Sequence, residues 1–316
     1  MKLNNYFFPD YSKKSGLGHF YRCYKYSKLI NKGKIYFLYK NKFKPNLTKI
    51  LKKKGINPIK LNRNFFNLKK KNNSLDILTI DTYTKKNLKF IENGIFDKVI
   101  LLSDKKPLII NPNVIIDHTF KRKKKFYFNE QKKKIDCYVG IDFFPFERIK
   151  KISSKRKIIL INFGTTYDVD LINKSLRIIK KLNFNKEIII ISNHFDRKFI
   201  KKDYFNLKIQ VIKSVSYLSD IYKKTFLSFG SCGISLYEKL LYRIPSICTP
   251  VAGNQMNNYQ NFSKSKLIIK MNEVVKIDNQ KVMKDLKSLK KRINNFIKTI
   301  DKKKIIEIKN LYEKKN

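Results

Sequence analysis

His19 is one of three histidines in a chain of 316 residues, and it stands in the run Ser15-Gly16-Leu17-Gly18-His19-Phe20-Tyr21-Arg22. An imidazole that titrates near neutrality can take a proton from an attacking hydroxyl or water. Gly16 and Gly18 let the backbone turn tightly and approach a ligand, because no Cβ stands in the way. A helix starting at His19 would offer unpaired N–H groups and a partial positive charge to an anion. A histidine that merely caps the helix is the plainer alternative, and a lone G-x-G does not decide between the two. A second constellation lies far downstream. Gly230-Ser231-Cys232-Gly233 leaves an apolar run and leads through Ile234 and Ser235 into an amphipathic segment, the geometry of a phosphate cradle. On that segment Leu236, Tyr237, Leu240 and Leu241 make an apolar stripe and leave Glu238 off it. A carboxylate so placed can accept hydrogen bonds from two vicinal ribose hydroxyls, although a solvated helix residue is the simpler reading of Glu238 alone. After Pro250, Asn254 and Gln255 add amide donors and acceptors suited to sugar hydroxyls.

The elements that must position these residues follow from hydrophobic period. Short apolar runs alternate with amphipathic segments along the whole chain, which predicts α/β architecture with parallel sheets covered on both faces. Strands are expected at Asn5–Phe8, Ile35–Tyr39, Ile56–Leu61, Leu75–Ile80, Lys98–Leu102, Leu108–Ile110, Val114–Ile116 and Cys137–Ile141. Helices are expected from His19 (with Gly33 as its C′ residue), over Leu47–Lys54 and over Lys85–Asn93. The pattern lapses in the charged segment Glu147–Lys157, which reads as a linker. Beyond it come strands Ile158–Asn162, Glu187–Ser192, Leu207–Ile212, Phe226–Phe229, Ser246–Thr249 and Leu267–Lys270. Helices Val169–Leu182, Tyr217–Lys223, Ile234–Tyr242 and Asn254–Lys264 join them, with two more from Gln280 onward. The expected organisation is two doubly wound, Rossmann-like domains facing across a cleft, over residues 1–150 and 157–316. The second domain includes the terminal helices.

Composition excludes several classes. Hydrophobic residues make up 42% of the chain, which is ordinary for a globular protein and too high for a disordered one. No apolar run reaches the roughly 18 to 20 residues that cross a bilayer, which leaves room only for peripheral membrane contact. The four cysteines are scattered and the histidines few, so no metal-ligand spacing can be assembled and a reducing, cytoplasmic setting is expected. No metal, no cofactor and a monomer are expected. Lys+Arg 72 against Asp+Glu 24 gives a net charge of +48. The lysines are spread over every segment and accompany abundant Ile, Asn, Phe and Tyr without Trp, which reads as compositional drift ahead of a polyanion site. No specific nucleic acid partner is expected. A non-enzymatic polyanion-binding protein stands as the alternative of another class.

The motif of Gly16, Gly18, His19 and Arg22 resembles the N-terminal loop of the UDP-sugar hydrolases of the pseudaminic acid pathway. The stretches Leu75–Tyr83, Ile159–Asp168 and Phe229–Gln255 fall in that family's order and spacing. The resemblance implies a GT-B fold related to the peptidoglycan N-acetylglucosaminyltransferase. It implies attack by water at the anomeric carbon of a UDP-linked 2,4-diacetamido-2,4,6-trideoxy sugar, with inversion and without metal. On that pattern His19 is the base, and Gly230, Ser231, Cys232, Gly233, Ile234 and Ser235 hold the diphosphate. Glu238 holds the ribose, Val215 and Tyr217 lie by the uracil, and Asp81, Tyr83, Asn254 and Gln255 face the sugar. Arg22 is expected to brace the loop or to pair with Asp81. Three positions depart from the pattern. Thr82 replaces a histidine after Asp81, Cys232 replaces the second glycine of a pair, and Thr165 replaces the glycine after Gly164. An inverting GT-B glycosyltransferase, with a hydroxyl or lipid-linked acceptor in place of water, shares the same donor site and is the nearest alternative.

Overall fold

The computed structural model describes residues 2–11, 17–62, 65, 74–84, 94–105, 112–128, 135–146, 149, 152, 155–164, 169–193, 195–213, 218–276 and 278–313. All five residues of the strand Ile158–Asn162 are buried, the mark of a strand covered on both faces in a parallel sheet. Every strand pair in the described residues is parallel. The first sheet comprises β1 (Lys2–Pro9), β2 (Lys34–Tyr39), β3 (Asn57–Lys60), β4 (Ser74–Asp81), β5 (Lys98–Leu102), β6 (Val114–Asp117) and β7 (Asp136–Val139). Its order is β3-β2-β1-β4-β5-β6-β7. The second sheet holds β8 (Ile158–Asn162), β9 (Glu187–Ile191), β10 (Ile209–Ile212), β11 (Thr225–Gly230), β12 (Ser246–Cys248) and β13 (Ile269–Lys270), in the order β10-β9-β8-β11-β12-β13. Each order reverses direction once, between β1 and β4 and between β8 and β11. Open α/β sheets bind ligands at the carboxyl ends of the strands beside such a reversal.

Alternation of side chains divides each sheet between two cores. In the first, Phe7, Phe37, Ile77, Ile100, Val114 and Ile116 join one cluster. Their neighbours along the strands, Phe8, Leu38, Leu78, Leu101 and Ile115, join another. In the second sheet Ile159, Ile161, Ile188, Ile190 and Phe229 belong to one cluster, and Ile158, Leu160 and Ile189 to another.

The helices are α1 (Gly18–Ser27), α2 (Pro45–Lys52), α3 (Lys125–Phe128), α4 (Val169–Lys181), α5 (Ser219–Lys224), α6 (Ile234–Leu241), α7 (Met256–Lys264), α8 (Met271–Lys276), α9 (Asn279–Thr299) and α10 (Lys304–Leu311). In α9, Val282, Leu286, Leu289, Ile293 and Ile297 form the buried stripe, and the Asp278 carboxylate caps the helix by accepting from Lys281 N at 2.8 Å. No helix among the described residues is long and apolar enough to cross a membrane.

Several expectations shift. Gly33 is not the C′ residue of α1, which ends at Ser27. It opens β2 with φ +83°, and a Cβ there would lie 2.5 Å from the Leu3 carbonyl oxygen, so both backbone angle and space demand glycine. The strand expected over Cys137–Ile141 stops at Val139, where Gly140 adopts φ +121° and a 3-10 turn follows over Ile141–Phe143. Helix Lys85–Asn93 and strand Leu108–Ile110 lie outside the described residues.

The chain forms two compact units, Met1–Pro145 with Asp301–Asn316, and Phe146–Ile300. The helix α10, placed by the sequence with the second domain, packs in the first unit. Ile308, Leu311 and Tyr312 join the core built on Phe7 and Phe37, and the Thr79 hydroxyl donates to the Tyr312 hydroxyl at 3.1 Å. Burying an Ile or Leu side chain this way contributes about 1.5–3 kcal/mol.

Candidate functional site

In the first unit the reversal between β1 and β4 brings Asp81, the last residue of β4, beside the start of α1. The Asp10 amide donates to the Asp81 carbonyl at 2.7 Å and carries the pairing one step beyond β1. His19 and Arg22, one turn apart on α1, point back at the same carboxylate. His19 Nδ1 lies 2.5 Å from Asp81 Oδ1. Arg22 grips Asp81 with two nitrogens, Nε to Oδ2 at 2.5 Å and Nη2 to Oδ1. All three side chains are buried. Burial alone would raise the Asp81 carboxyl, but the Arg22 guanidinium and then His19 outweigh it and hold it at about 2. The carboxylate therefore stays ionised at neutral pH. It favours the tautomer with the proton on Nδ1, which leaves the lone pair on Nε2, the arrangement a general base requires.

A second ring of contacts supports this cluster. Asp104 accepts from the Tyr83 hydroxyl and lies 3.5 Å from Arg22 Nη1. The Tyr83 ring stands edge-on to His19, with centroids 4.6 Å apart. Burial raises the Tyr83 phenol, Arg22 pulls against it, and Asp104 pushes it up again. Thr82 is buried beside Asp81. Its hydroxyl donates to Asp10 Oδ2 at 3.0 Å and accepts from the Thr84 amide at 3.0 Å, which ties the turn after β4 to the residue that follows β1. His118, one residue past β6, is buried near the same cluster. Burial first, and then Arg22, push its pKa down to about 3, so it is a neutral imidazole. The sequence signals for Asp104 and His118 were present, since both follow strand ends on the ligand-binding edge. Neither belongs to a recognisable motif.

Gly18 is the first residue of α1, and a Cβ there would meet nothing within 4 Å. The fold itself does not require glycine at this position. Gly16 lies outside the described residues, as do Thr165, Val215 and Tyr217.

In the second unit the reversal lies between β8 and β11. Gly230 ends β11 against Asn162. A Cβ on it would fall 2.4 Å from the Asn162 carbonyl oxygen and 2.4 Å from Lys239 Nζ. Ser231, Cys232 and Gly233 then turn into α6, and no side chain caps that helix. The N-cap residue Gly233 thus offers no side chain to the first-turn amides, among them those of Ile234 and Ser235. The Cys232 side chain does not crowd this turn. It is fully buried, and its interaction with Cys248 and its burial raise the thiol's pKa. The Cys232 amide is also committed, donating to Gln255 Oε1 at 3.2 Å. The Val251 amide donates to the same oxygen at 3.1 Å. Gln255, expected to face a sugar, therefore spends its carbonyl on bracing two turns. Asn258 and Tyr237 complete the brace, with Tyr237 OH donating to Asn258 Oδ1 at 2.8 Å and Asn258 Nδ2 to the Cys232 carbonyl at 3.3 Å. Asn254 is half-buried in the 3-10 turn Gly253–Gln255. Glu238 is half-buried rather than solvated, and its Oε2 accepts from the Tyr222 hydroxyl at 3.3 Å. Lys239, which the sequence did not single out, is fully buried. Among the described residues no group of three or more His, Cys, Asp or Glu side chains could hold a metal ion.

No protein-family model matches the chain, and no curated protein matches it in sequence. Solved structures do match its fold. A UDP-glucosyltransferase from Polygonum tinctorium, capable of glucosylating indoxyl, superposes with a TM-score of 0.67 at 10% identity, covering 100% of both chains. The Medicago truncatula UGT71G1, complexed with UDP-glucose, gives 0.66 at 11% identity over 99% of this chain and 98% of that one. MurG from Acinetobacter baumannii gives 0.60 at 12% identity over 100% of both. With its two parallel, Rossmann-like sheets, the chain has the two-domain GT-B fold.

Proposed function

We propose that the chain is a cytoplasmic, inverting glycosyltransferase that moves a sugar from a UDP-sugar donor to an acceptor hydroxyl. The observation that carries this reading is His19, fixed through Nδ1 by an Asp81 carboxylate that Arg22 keeps ionised. His19 Nε2 takes the acceptor's proton as its oxygen attacks the anomeric carbon, and the bond from that carbon to the diphosphate breaks. UDP is already a good leaving group, so the protein's task is to orient the nucleophile and stabilise the departing charge. The turn Gly230–Ser235 and the uncapped start of α6 supply that stabilisation in the second unit, and Glu238 accepts from the ribose hydroxyls. The solved glycosyltransferases of the same fold, two of them described with UDP-sugars or as UDP-glucosyltransferases, support the donor class.

Hydrolysis is the second reading. It is favoured by the loop motif Gly16, Gly18, His19 and Arg22, in which Arg22 pairs with Asp81. Water then replaces the acceptor, and the substrate is a UDP-linked 2,4-diacetamido-2,4,6-trideoxy sugar. Free UDP measured over a panel of UDP-sugars, with and without hydroxyl acceptors, separates the two. UDP release that depends on an acceptor establishes transfer. Acceptor-independent release, with ¹⁸O from water appearing on the sugar, establishes hydrolysis. Label on the UDP phosphate would remove His19 from the proposed role under either reading.

A further inference from the structure

Lys239 lies on the inner face of α6, among the buried residues Leu236, Tyr237 and Leu240. It is fully buried, and Nζ has no hydrogen-bond partner among the described residues. The amine rests against Gly230, close enough that a Cβ there would come within 2.4 Å of it. Gly230 and Asn162 are register partners at the carboxyl ends of β11 and β8. Lys239 therefore delivers its amine to the strand-order reversal of the second sheet, at the residue that opens the turn into an uncapped helix. Burying an ammonium without an acceptor is costly, and an unbranched apolar side chain would fill the same space without that cost. The titratable groups that face it are Cys248 at the end of β12, Cys232 in the turn and Glu238 on its own helix. Burial pulls the amine's pKa down in spite of all three.

We propose that Lys239 is a buried counter-charge for the anion held at the Gly230–Ser235 turn, taking up a proton from solvent when a diphosphate binds and losing it when the diphosphate leaves. The inference rests on the reading of this turn as the diphosphate's place. An anion at the uncapped helix start lowers the energy of the ammonium through a medium of low dielectric, where charge–charge attraction is far stronger than in water. The same coupling, seen from the ligand, makes the protonated amine raise the affinity for the anion. Lys239 acts without touching the ligand and is a positioning residue in this sense. Cys248 and Cys232, whose charges act on the amine, are the competing site for that proton. Interaction with Cys232 lowers the Cys248 thiol against burial.

The test is calorimetry on the full chain with UDP and with uridine, each in two buffers of different ionisation enthalpy. Wild-type protein should take up protons on binding UDP and none on binding uridine. Lys239→Met should bind UDP at least about tenfold more weakly, with uridine affinity unchanged and the proton uptake gone. It should also melt at a higher temperature, because it removes a buried amine without a hydrogen-bond partner; a lysine with a merely structural role would not show this combination. A wild-type measurement needs no variant. Above about pH 8, where the terminal phosphate is already ionised, UDP affinity relative to uridine should fall as pH rises. Equal UDP affinity in Lys239→Met overturns the proposal. So does proton uptake that survives in Lys239→Met and vanishes in Cys248→Ala, which assigns the proton to the thiol. Wild-type protein that binds neither UDP nor pyrophosphate would instead sink the diphosphate reading itself, and the inference with it.

Discussion

Asp81 serves His19 and Arg22 at once, and its removal separates their roles. His19→Asn retains an amide that can still reach Asp81, so the fold should survive while the proton acceptor is lost. Turnover should drop about 100- to 10,000-fold with UDP affinity unchanged, measured by steady-state kinetics and calorimetry. Asp81→Asn leaves the Arg22 guanidinium buried opposite a neutral amide. Breaking a buried pair in this way costs about 3–5 kcal/mol, read as a lower denaturant midpoint. The pH dependence has a definite sign. Asp81 is held at about 2 in the folded chain, below its unfolded value of about 3.9. Its stabilisation is present above pH about 4 and is lost as pH falls through about 2. Midpoints recorded from pH 5 to 2 should fall in the wild type and fall less steeply in Asp81→Asn. At this scale the sequence disclosed the histidine and the Arg22–Asp81 pair, because they sit in a glycine-rich loop and at a strand end. It did not single out Asp104 or His118, which follow strand ends but belong to no motif, or Lys239, whose neighbours only the fold assembles.

The helices and turns carry a different kind of test. Among the described residues nothing lies within 4 Å of a Cβ placed on Gly18, so Gly18→Ala should leave the melting temperature unchanged or slightly higher. Its turnover should nevertheless fall if the bare backbone serves a ligand, and unchanged turnover would reduce Gly18 to a helix start of no further use. Glu238→Ala should weaken UDP binding more than it slows turnover at saturation, because ribose contacts persist through the reaction. It also strips the buried Tyr222 hydroxyl of an acceptor, at about 1–3 kcal/mol. Glu238→Gln keeps that acceptor and separates the two effects in a melt. Strands such as Lys98–Leu102 and Ile158–Asn162 were legible to the residue, since a strand buried on both faces is one unbroken apolar run. Gly33 was not, because its need for glycine comes from Leu3 in the neighbouring strand. The docking of α10 was not legible either, since an amphipathic stripe states that a face is buried without stating against which sheet.

Across the whole molecule a charge of +48 acts through the field and not through any single site. Binding to nucleic acid, measured by fluorescence anisotropy, should be indifferent to sequence and weaken steeply between about 50 and 200 mM salt. A tight complex with one sequence at physiological salt would contradict this and restore the polyanion-binding alternative. The return of the chain to the first unit has a consequence for synthesis. The segment Phe146–Ile300 is contiguous and can close as soon as it leaves the ribosome. The first unit, although translated earlier, waits for Ile308, Leu311 and Tyr312 to cover Phe7. Until then, that apolar face stays open to chaperones and to other nascent chains, so the unit that holds His19 is born first and finished last.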